Sequence, residues 1–180
     1  MPERDRVIEK LDLVIAERAA LVARGPHFRV VCRQAAADRL CPRVLEPMAA
    51  FLVFRGRDYD LQLSPALLSL FTCLAWHRHL SQSAGQIAEG TRQELSLSNS
   101  GIVSLATIPR RAVKVYIQRL RGRLARAFAS SELHLNPYHV ITSVTTDSSV
   151  ALYRLRAAIE VHVLSKGYHP PEPRKRITYL

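Results

Sequence analysis

Acidic side chains are scarce in this chain of 180 residues, in which 15 Asp and Glu stand against 26 Lys and Arg. The resulting net charge of +11 favours partners that carry phosphate, first nucleic acid and then anionic membrane. The sequence also lacks a glycine-rich phosphate loop, a pair of carboxylates suited to a catalytic cleft, and a regularly spaced set of metal ligands. We therefore expect a protein that is not an enzyme and needs no cofactor.

Cysteine is rare, and long hydrophobic runs are absent. The three cysteines, Cys32, Cys41 and Cys73, are odd in number and form no CxxC pair, which argues against a disulfide framework. No apolar run approaches the roughly 18 residues of a membrane span, and residues 1–10 are charged, unlike a signal peptide. These absences predict a cytoplasmic, nucleoid-associated protein that does not enter a membrane.

Cys73 and His77 lie four residues apart on a predicted helix, with His79 close by. This spacing suits a metal ion, but a cysteine on an apolar helix face is far more often a packed core residue. We interpret Cys73 as a core residue and expect no metal site.

Residues 1–49 are predicted to form a helical extension. Apolar residues recur at three- and four-residue steps over 3–24, and Gly25-Pro26 ends this helix. The apolar stripe either folds back on its own domain or forms a dimer seam, since operators are often read by two-fold dimers. A short strand over 27–32 and partial helix over 34–50 complete the extension. The candidate dimer contacts are Val7, Leu11, Val14, Ile15 and Val22.

Residues 50–164 carry the pattern of an α+β domain that begins with a hairpin. Two short runs, 50–54 and 59–63, are rich in residues that favour strands. The turn Arg55-Gly56-Arg57-Asp58 joins them.

Two helices follow this hairpin. Ser64 and Pro65 are typical of an N-cap and a first helical residue, and the apolar face behind them runs to about Trp76. A second helix is predicted over 83–91. The stretch 94–107 is rich in Ser and Asn and is predicted to be an unusually long loop.

The segment 109–128 holds seven cations and no acidic residue. Pro109 starts a helix in which an apolar stripe lies opposite a basic, hydrogen-bonding stripe. A solvated surface helix normally alternates charges in i, i+4 pairs, so unpaired cations destabilise it unless phosphates neutralise them. The apolar stripe is Val113, Ile117, Leu120 and Leu124, and the opposite stripe is Arg111, Val115, Gln118, Gly122 and Arg126.

A second hairpin and a tail end the chain. Two β-rich runs, 140–145 and 150–155, flank a turn at 146–149. Residues 156–164 continue as a strand or a short helix. The tail 165–180 has three prolines and a basic cluster, and it is predicted to be mobile and able to add phosphate contacts.

Three motifs follow one another between residues 50 and 155: LSPALLSLF at 63–71, RAVKVYIQRLRGRL at 111–124, and ITSV at 141–144 with YRL at 153–155. They resemble the motifs L-T-P-x-E-F-x-L-L, R-T-V-D-V-H-I-x-R-L-R-x-K-L and I-x-T-V-R-G-x-G-Y-R-L of the OmpR/PhoB-type effector domain, and the second match is the strongest. The resemblance implies a winged helix-turn-helix fold, here with an N-terminal helical extension, and binding to double-stranded DNA.

The chain departs from this family in three places. The extension before residue 50 shows no alternating βα pattern and no acidic phosphorylation pocket, so we expect no receiver domain and no control by phospho-aspartate. The stretch before Pro109 is longer than the family's loop. The wing lacks the family's glycines and carries extra residues.

The side chains of the basic helix suit two kinds of DNA contact. Arg pairs with guanine O6 and N7, Gln pairs with adenine N6 and N7, and Val contacts a thymine methyl. The predicted base contacts are Arg111, Val115, Gln118 and Arg119. The predicted backbone contacts are Arg110, Lys114, Arg121, Arg123, Arg126 and, on the wing, Arg154, although the stems of Arg121 and Arg123 alternatively cover the edge of the core.

Two functions stay open at this stage. The first is a sequence-specific transcriptional regulator that acts as a homodimer, with RNA polymerase or another transcription factor as a further partner. The second is an interaction module whose basic face docks an acidic protein. The uncharged pair Val115 and Gln118 among the cations favours a DNA groove over an acidic protein surface.

Overall fold

A computed structural model describes residues 25–34, 45–92 and 102–164 of the chain. The predicted helix over 3–24 and the predicted tail over 165–180 lie outside the described residues. The same holds for the candidate dimer contacts, which are Val7, Leu11, Val14, Ile15 and Val22.

The described residues form an α+β fold with four helices and two sheets. In chain order the strands are β1 (His27–Gln34), β2 (Leu45–Phe54), β3 (Arg57–Asp60), β4 (Gln82–Ser83), β5 (Ile141–Thr145), β6 (Ala151–Leu155) and β7 (Ile159–Leu164). The helices are α1 (Pro65–Trp76), α2 (Ala84–Gly90), α3 (Val113–Ser130) and α4 (Pro137–Val140). None of these helices has both the length and the hydrophobicity that a bilayer crossing requires.

The larger sheet has the strand order β3-β2-β1-β7, in which β1 is antiparallel to β2 and parallel to β7. This pairing corrects the domain boundary that the sequence predicted between 1–49 and 50–164. That boundary cuts through β2 and would separate the inner strand β1 from β7 and from the second half of β2. Residues 159–164, for which strand and short helix were both open, form the strand β7.

The partial helix predicted within residues 34–50 is wrong for residues 45–50, which belong to β2, while residues 35–44 lie outside the described residues. Pro47 lies in this strand where the register with β1 shifts between Val31 and Cys32. Such an irregularity is one of the few places where a sheet accepts proline, which donates no backbone hydrogen bond.

The hairpin of β2 and β3 forms at the predicted turn. Phe54 pairs with Arg57, so only Arg55 and Gly56 lie between the strands. Both residues have positive φ, 51° and 71°, which suits the right-handed twist of a two-residue hairpin. β3 is shorter and starts earlier than the predicted run over 59–63.

The predicted starts of α1 and α2 are confirmed by their caps. The Ser64 side chain accepts a hydrogen bond from the backbone N–H of Leu67, and Pro65 occupies the first turn. Ser83 and Gln86 exchange side chain–backbone hydrogen bonds in a capping box at the start of α2. Local sequence alone therefore sets both helix starts.

α3 follows a short 3-10 turn at Arg110–Ala112 and packs its predicted apolar stripe into the core. The core lies between this helix, α1 and one face of the larger sheet. Phe28 of β1 contacts both Phe71 and Phe128, with ring centroids 5.5 and 6.5 Å apart. The fully buried stripe of α3 is Val113, Ile117, Leu120 and Leu124.

The smaller sheet has the order β4-β6-β5. β5 and β6 form the antiparallel hairpin that the sequence predicted, and β4 pairs with β6 through Gln82 and Tyr153. Because β4 lies between α1 and α2 in the chain, this pairing ties the hairpin to the helices. The short helix α4, capped by Asn136, connects α3 to the hairpin.

Candidate nucleic-acid interface

The surface of α3 opposite the core stripe is exposed along its whole length. Lys114, Gln118 and Arg119 are exposed, and half of the Val115 side chain is accessible to solvent. Gly122 also lies on this face, and a Cβ added there would meet no atom within 4 Å. We call this surface the α3 face. It carries the cations Lys114 and Arg119, the amide of Gln118, the apolar side chain of Val115 and the exposed backbone of Gly122.

In the part of the chain that the structure describes, the cations of the α3 face have no carboxylate partners. Within the described residues, ion pairs occur at β1 and in the turn after α2, and none involves α3. Cations this close on one helix repel one another, so a bound anion would relieve that repulsion. The unpaired cations of this segment are Arg110, Arg111, Lys114, Arg119, Arg123 and Arg126.

Two of the predicted base contacts have neighbours that restrict them. The Tyr138 hydroxyl donates a hydrogen bond to Gln118 Oε1 at 3.2 Å. The Arg119 guanidinium lies 5.5 Å from the centroid of the Tyr116 ring, one turn back along the helix. Both side chains remain exposed, so they are held at the surface in restricted positions.

Arg111 and Val115 have no such neighbours. Arg111 lies with Arg110 in the 3-10 turn that precedes α3, and both are exposed. Pro109 and Ala84 join these two arginines around an open, mostly apolar groove between the start of α2 and the turn. The structure thus places all four predicted base contacts on one continuous surface.

Arg121 corrects the prediction of a backbone contact, because its side chain is buried. Its Nε and Nη2 donate to the carbonyl oxygen of Ile141 at 3.1 and 2.7 Å, and Nη2 also donates to Ser143 Oγ at 3.3 Å. The Tyr138 ring covers the guanidinium, whose carbon lies 4.3 Å from the ring centroid. Desolvation lowers the pKa of Arg121 from its usual value, yet arginine keeps its proton.

The Arg154 side chain also makes a hydrogen bond to another part of the fold. Its Nε donates to the carbonyl oxygen of Arg78, just beyond α1, at 3.1 Å, and the side chain is half-buried on the inner strand of the smaller sheet. This contact links the hairpin to the end of α1 through Nε alone, and the predicted contact of Arg154 with the DNA backbone stays a prediction. Arg123, in contrast, is half-buried with no hydrogen bond to another described residue.

Tyr138 is the residue of this surface that the sequence analysis missed. It lies on α4, its side chain is half-exposed, and it contacts both Gln118 and Arg121. The pair Asn136 and Pro137 is an N-cap followed by a first-turn proline, which signals a helix start after α3. That signal predicts α4, but the contact across 20 residues with Gln118 has no local signature.

Cys73 is buried in the core, as the sequence predicted, and His77 follows the last residue of α1. Burial raises the pKa of the Cys73 thiol to about 12, and its Sγ donates to Gln82 Oε1 at 3.7 Å. The ring Nδ1 of His77 lies 3.1 Å from the carbonyl oxygen of Cys73. Across the described ranges, no three His, Cys, Asp or Glu side chains come together in a way that would hold a metal ion.

No family model, no curated protein and no solved structure matches this chain.

Proposed function

We propose that this chain is a sequence-specific DNA-binding transcriptional regulator, with α3 in the major groove and the β5–β6 hairpin as a wing. The observation that carries the proposal is the α3 face, where unpaired cations surround the uncharged Val115 and Gln118. Phosphates would neutralise the cations, while an amide and a methyl-bearing side chain suit base edges.

The element order supports a winged helix-turn-helix. α1, β4, α2, α3, β5 and β6 follow one another as helix, short strand, helix, basic helix and hairpin. The pairing of β4 with β6 brings the hairpin beside the helices. In such a unit the second helix of the helix-turn-helix pair enters the groove, and the hairpin reaches toward the adjacent backbone.

The roles of the basic residues differ under this proposal. Gln118 and Arg119 would read bases, whereas Lys114 and Arg126 would contact phosphates and set the position of the helix. Arg121 and Arg154 would act indirectly, by holding the hairpin against the helices. A homodimer in the cytoplasm, with contacts from the predicted N-terminal helix, belongs to the same proposal.

A salt series measured by fluorescence anisotropy tests the proposal. With the full chain and a labelled random duplex, the logarithm of affinity should fall against the logarithm of salt with a slope of about −3 to −5. That range corresponds to about three to six phosphate contacts, the number that the unpaired cations can make. A flat dependence contradicts groove binding, and equally tight binding to an acidic protein would support the docking alternative.

Selection from random duplexes tests the reading of sequence. Gln118→Ala and Arg119→Ala should each relax preference at one or two base pairs and cost about 1–3 kcal/mol on the preferred site. Arg123→Ala should weaken all sequences by a similar, smaller factor and reduce the salt slope by about one. If the Gln118 and Arg119 variants return the wild-type motif with only uniform weakening, the proposed orientation of α3 is wrong.

A further inference from the structure

Gln118 is joined to the β5–β6 hairpin through two side chains. Its Oε1 accepts a hydrogen bond from the Tyr138 hydroxyl at 3.2 Å. The Tyr138 ring lies over the Arg121 guanidinium at 4.3 Å. Arg121 in turn donates twice to the carbonyl oxygen of Ile141, the first residue of β5. The exposed amide of α3 is therefore connected to a buried, charged anchor.

We propose that Tyr138 is a positioning residue that determines which groups Gln118 presents to DNA, an inference that rests on the proposed function. With Oε1 held by the Tyr138 hydroxyl, the two N–H donors of the amide point away from the tyrosine. Gln118 then selects base edges that offer acceptors in the major groove, such as guanine O6 and N7.

This assignment differs from the contact that residue type alone suggests. A free glutamine pairs with adenine by donating to N7 and accepting from the N6 amino group through the same amide. Here the Tyr138 hydroxyl occupies one of the two lone pairs of the amide oxygen and fixes the plane of the amide, so adenine can pair with both ends only from the direction that the second lone pair leaves open. The side chain still keeps both of its donors.

The buried side chain of Arg121 fixes the position of the Tyr138 ring. Arg121 is only 4% exposed, so its guanidinium is fixed by its hydrogen bonds and by the packing around it. A ring seated over a guanidinium gains electrostatic attraction from the negative face of its π-system. Because glutamine has several rotatable bonds, a single hydrogen bond from a fixed hydroxyl removes much of its freedom before DNA arrives.

Tyr138→Phe tests the proposal, because it keeps the ring over Arg121 and removes only the hydroxyl. Selection from random duplexes is carried out with four versions of the full chain. These are the wild type, Tyr138→Phe, Gln118→Ala and the double variant. Tyr138→Phe should alter preference only at the base pair whose preference Gln118→Ala removes, and should weaken the selected site by about threefold to tenfold. Binding to random duplex should not change, and Tyr138→Phe should have no further effect once Gln118 is Ala.

Tyr116→Phe is the matched control. Tyr116 also lies beside a basic residue of α3, but its hydroxyl makes no hydrogen bond to another described residue. This variant should keep the wild-type motif. In the free protein, the side-chain amide resonances of Gln118 should shift in Tyr138→Phe and stay in place in Tyr116→Phe.

The outcomes separate the inference from the function on which it rests. If the wild-type protein selects a motif and Tyr138→Phe selects the same one, the positioning role is overturned and DNA binding stands. An equal effect of Tyr138→Phe with and without Gln118 also overturns the role, because it would then act through the fold. If the wild-type protein binds no duplex, the proposed function is wrong and the inference is wrong with it.

Discussion

The arginines of β1 and the cations of α3 belong to one chain but have opposite surroundings. Arg29 donates to Asp58 at 2.6 Å and to Glu160 at 3.0 Å, and Arg33 holds both oxygens of Glu46 at 2.8 and 2.9 Å. The hydrogen bonds and charge of Glu46 raise the pKa of Arg33 above its usual value. On α3, the exposed cations have no carboxylate partner within the described residues.

This difference shows that the position of a charge carries more information than the net charge of +11. The arginines of β1 pair with carboxylates of β2, β3 and β7 in the same sheet. Those of α3 remain available to an outside anion. A basic protein therefore indicates a nucleic-acid surface only where its cations lack internal partners.

The strongest test of this comparison removes two charges from each region. Lys114→Ala with Arg126→Ala should weaken binding to random duplex by about 60-fold at 0.1 M salt, since each phosphate contact releases about 0.9 counterion. The salt slope should also fall by about two. Anisotropy with Arg29→Ala and Arg33→Ala, which remove the same net charge from β1, should show little change. Equal losses in both double variants would mean that net charge alone drives binding.

Arg121 gives the next largest effect, and it concerns folding. Arg121→Ala should lower the free energy of unfolding by about 2 kcal/mol, because it leaves the Ile141 carbonyl without its charged donor and removes packing beneath Tyr138. Urea denaturation measures this loss. Arg123→Ala, two residues along the same helix, should stay within about 0.5 kcal/mol of the wild type. A neutral result for Arg121→Ala would contradict the buried anchor.

Substitution of Gly122 should change DNA binding and stability in opposite directions. Gly122→Ala adds a methyl group into open space and removes a glycine from a helix interior, so it should stabilise the fold by about 0.5–1 kcal/mol. The same methyl group on the α3 face should hinder close approach of DNA and weaken binding about tenfold, a loss comparable to that of one good base contact. Thermal melting and anisotropy on one sample check both signs. Unchanged binding would place Gly122 away from the DNA.

Arg29 should show the smallest effect. Arg29→Ala removes two partly exposed ion pairs, one with Asp58 and one with Glu160. It should lower the free energy of unfolding by about 0.5–1 kcal/mol, and by less at high salt. Binding to duplex DNA should keep both its affinity and its salt slope. A change in the slope would show that the β1 arginines contribute to the charged surface despite their carboxylate partners.

The parts of the fold that were predictable depend on local signals. Ser64 with Pro65 sets the start of α1, and the three- and four-residue periodicity identifies the buried stripe of α3. The second hairpin was visible as two β-rich runs around a turn. In each case the residues that decide the structure lie within a few positions of one another, where propensity and capping act directly.

The missed parts depend on contacts between distant residues. β1 pairs with β7 across more than 100 residues, and no local pattern marks that partner. The hydrogen bonds of Arg121 and Arg154 were missed for the same reason, because their partners Ile141 and Arg78 belong to other elements. Its helical position shows that Arg121 lies near the core stripe. Only the fold shows that the carbonyl oxygen of Ile141 lies within hydrogen-bond distance of its guanidinium.

The parallel pairing of β1 with β7 has a consequence for how the protein is made. Arg29 and Glu160 are 131 residues apart in sequence, so β1 lacks one neighbour until nearly all of the described chain has left the ribosome. All four helices are synthesised before that neighbour arrives. An unpaired strand edge invites association with other chains, so the nascent protein is most prone to aggregate during this interval. Slow translation of the last strand would lengthen that exposure without altering the finished molecule.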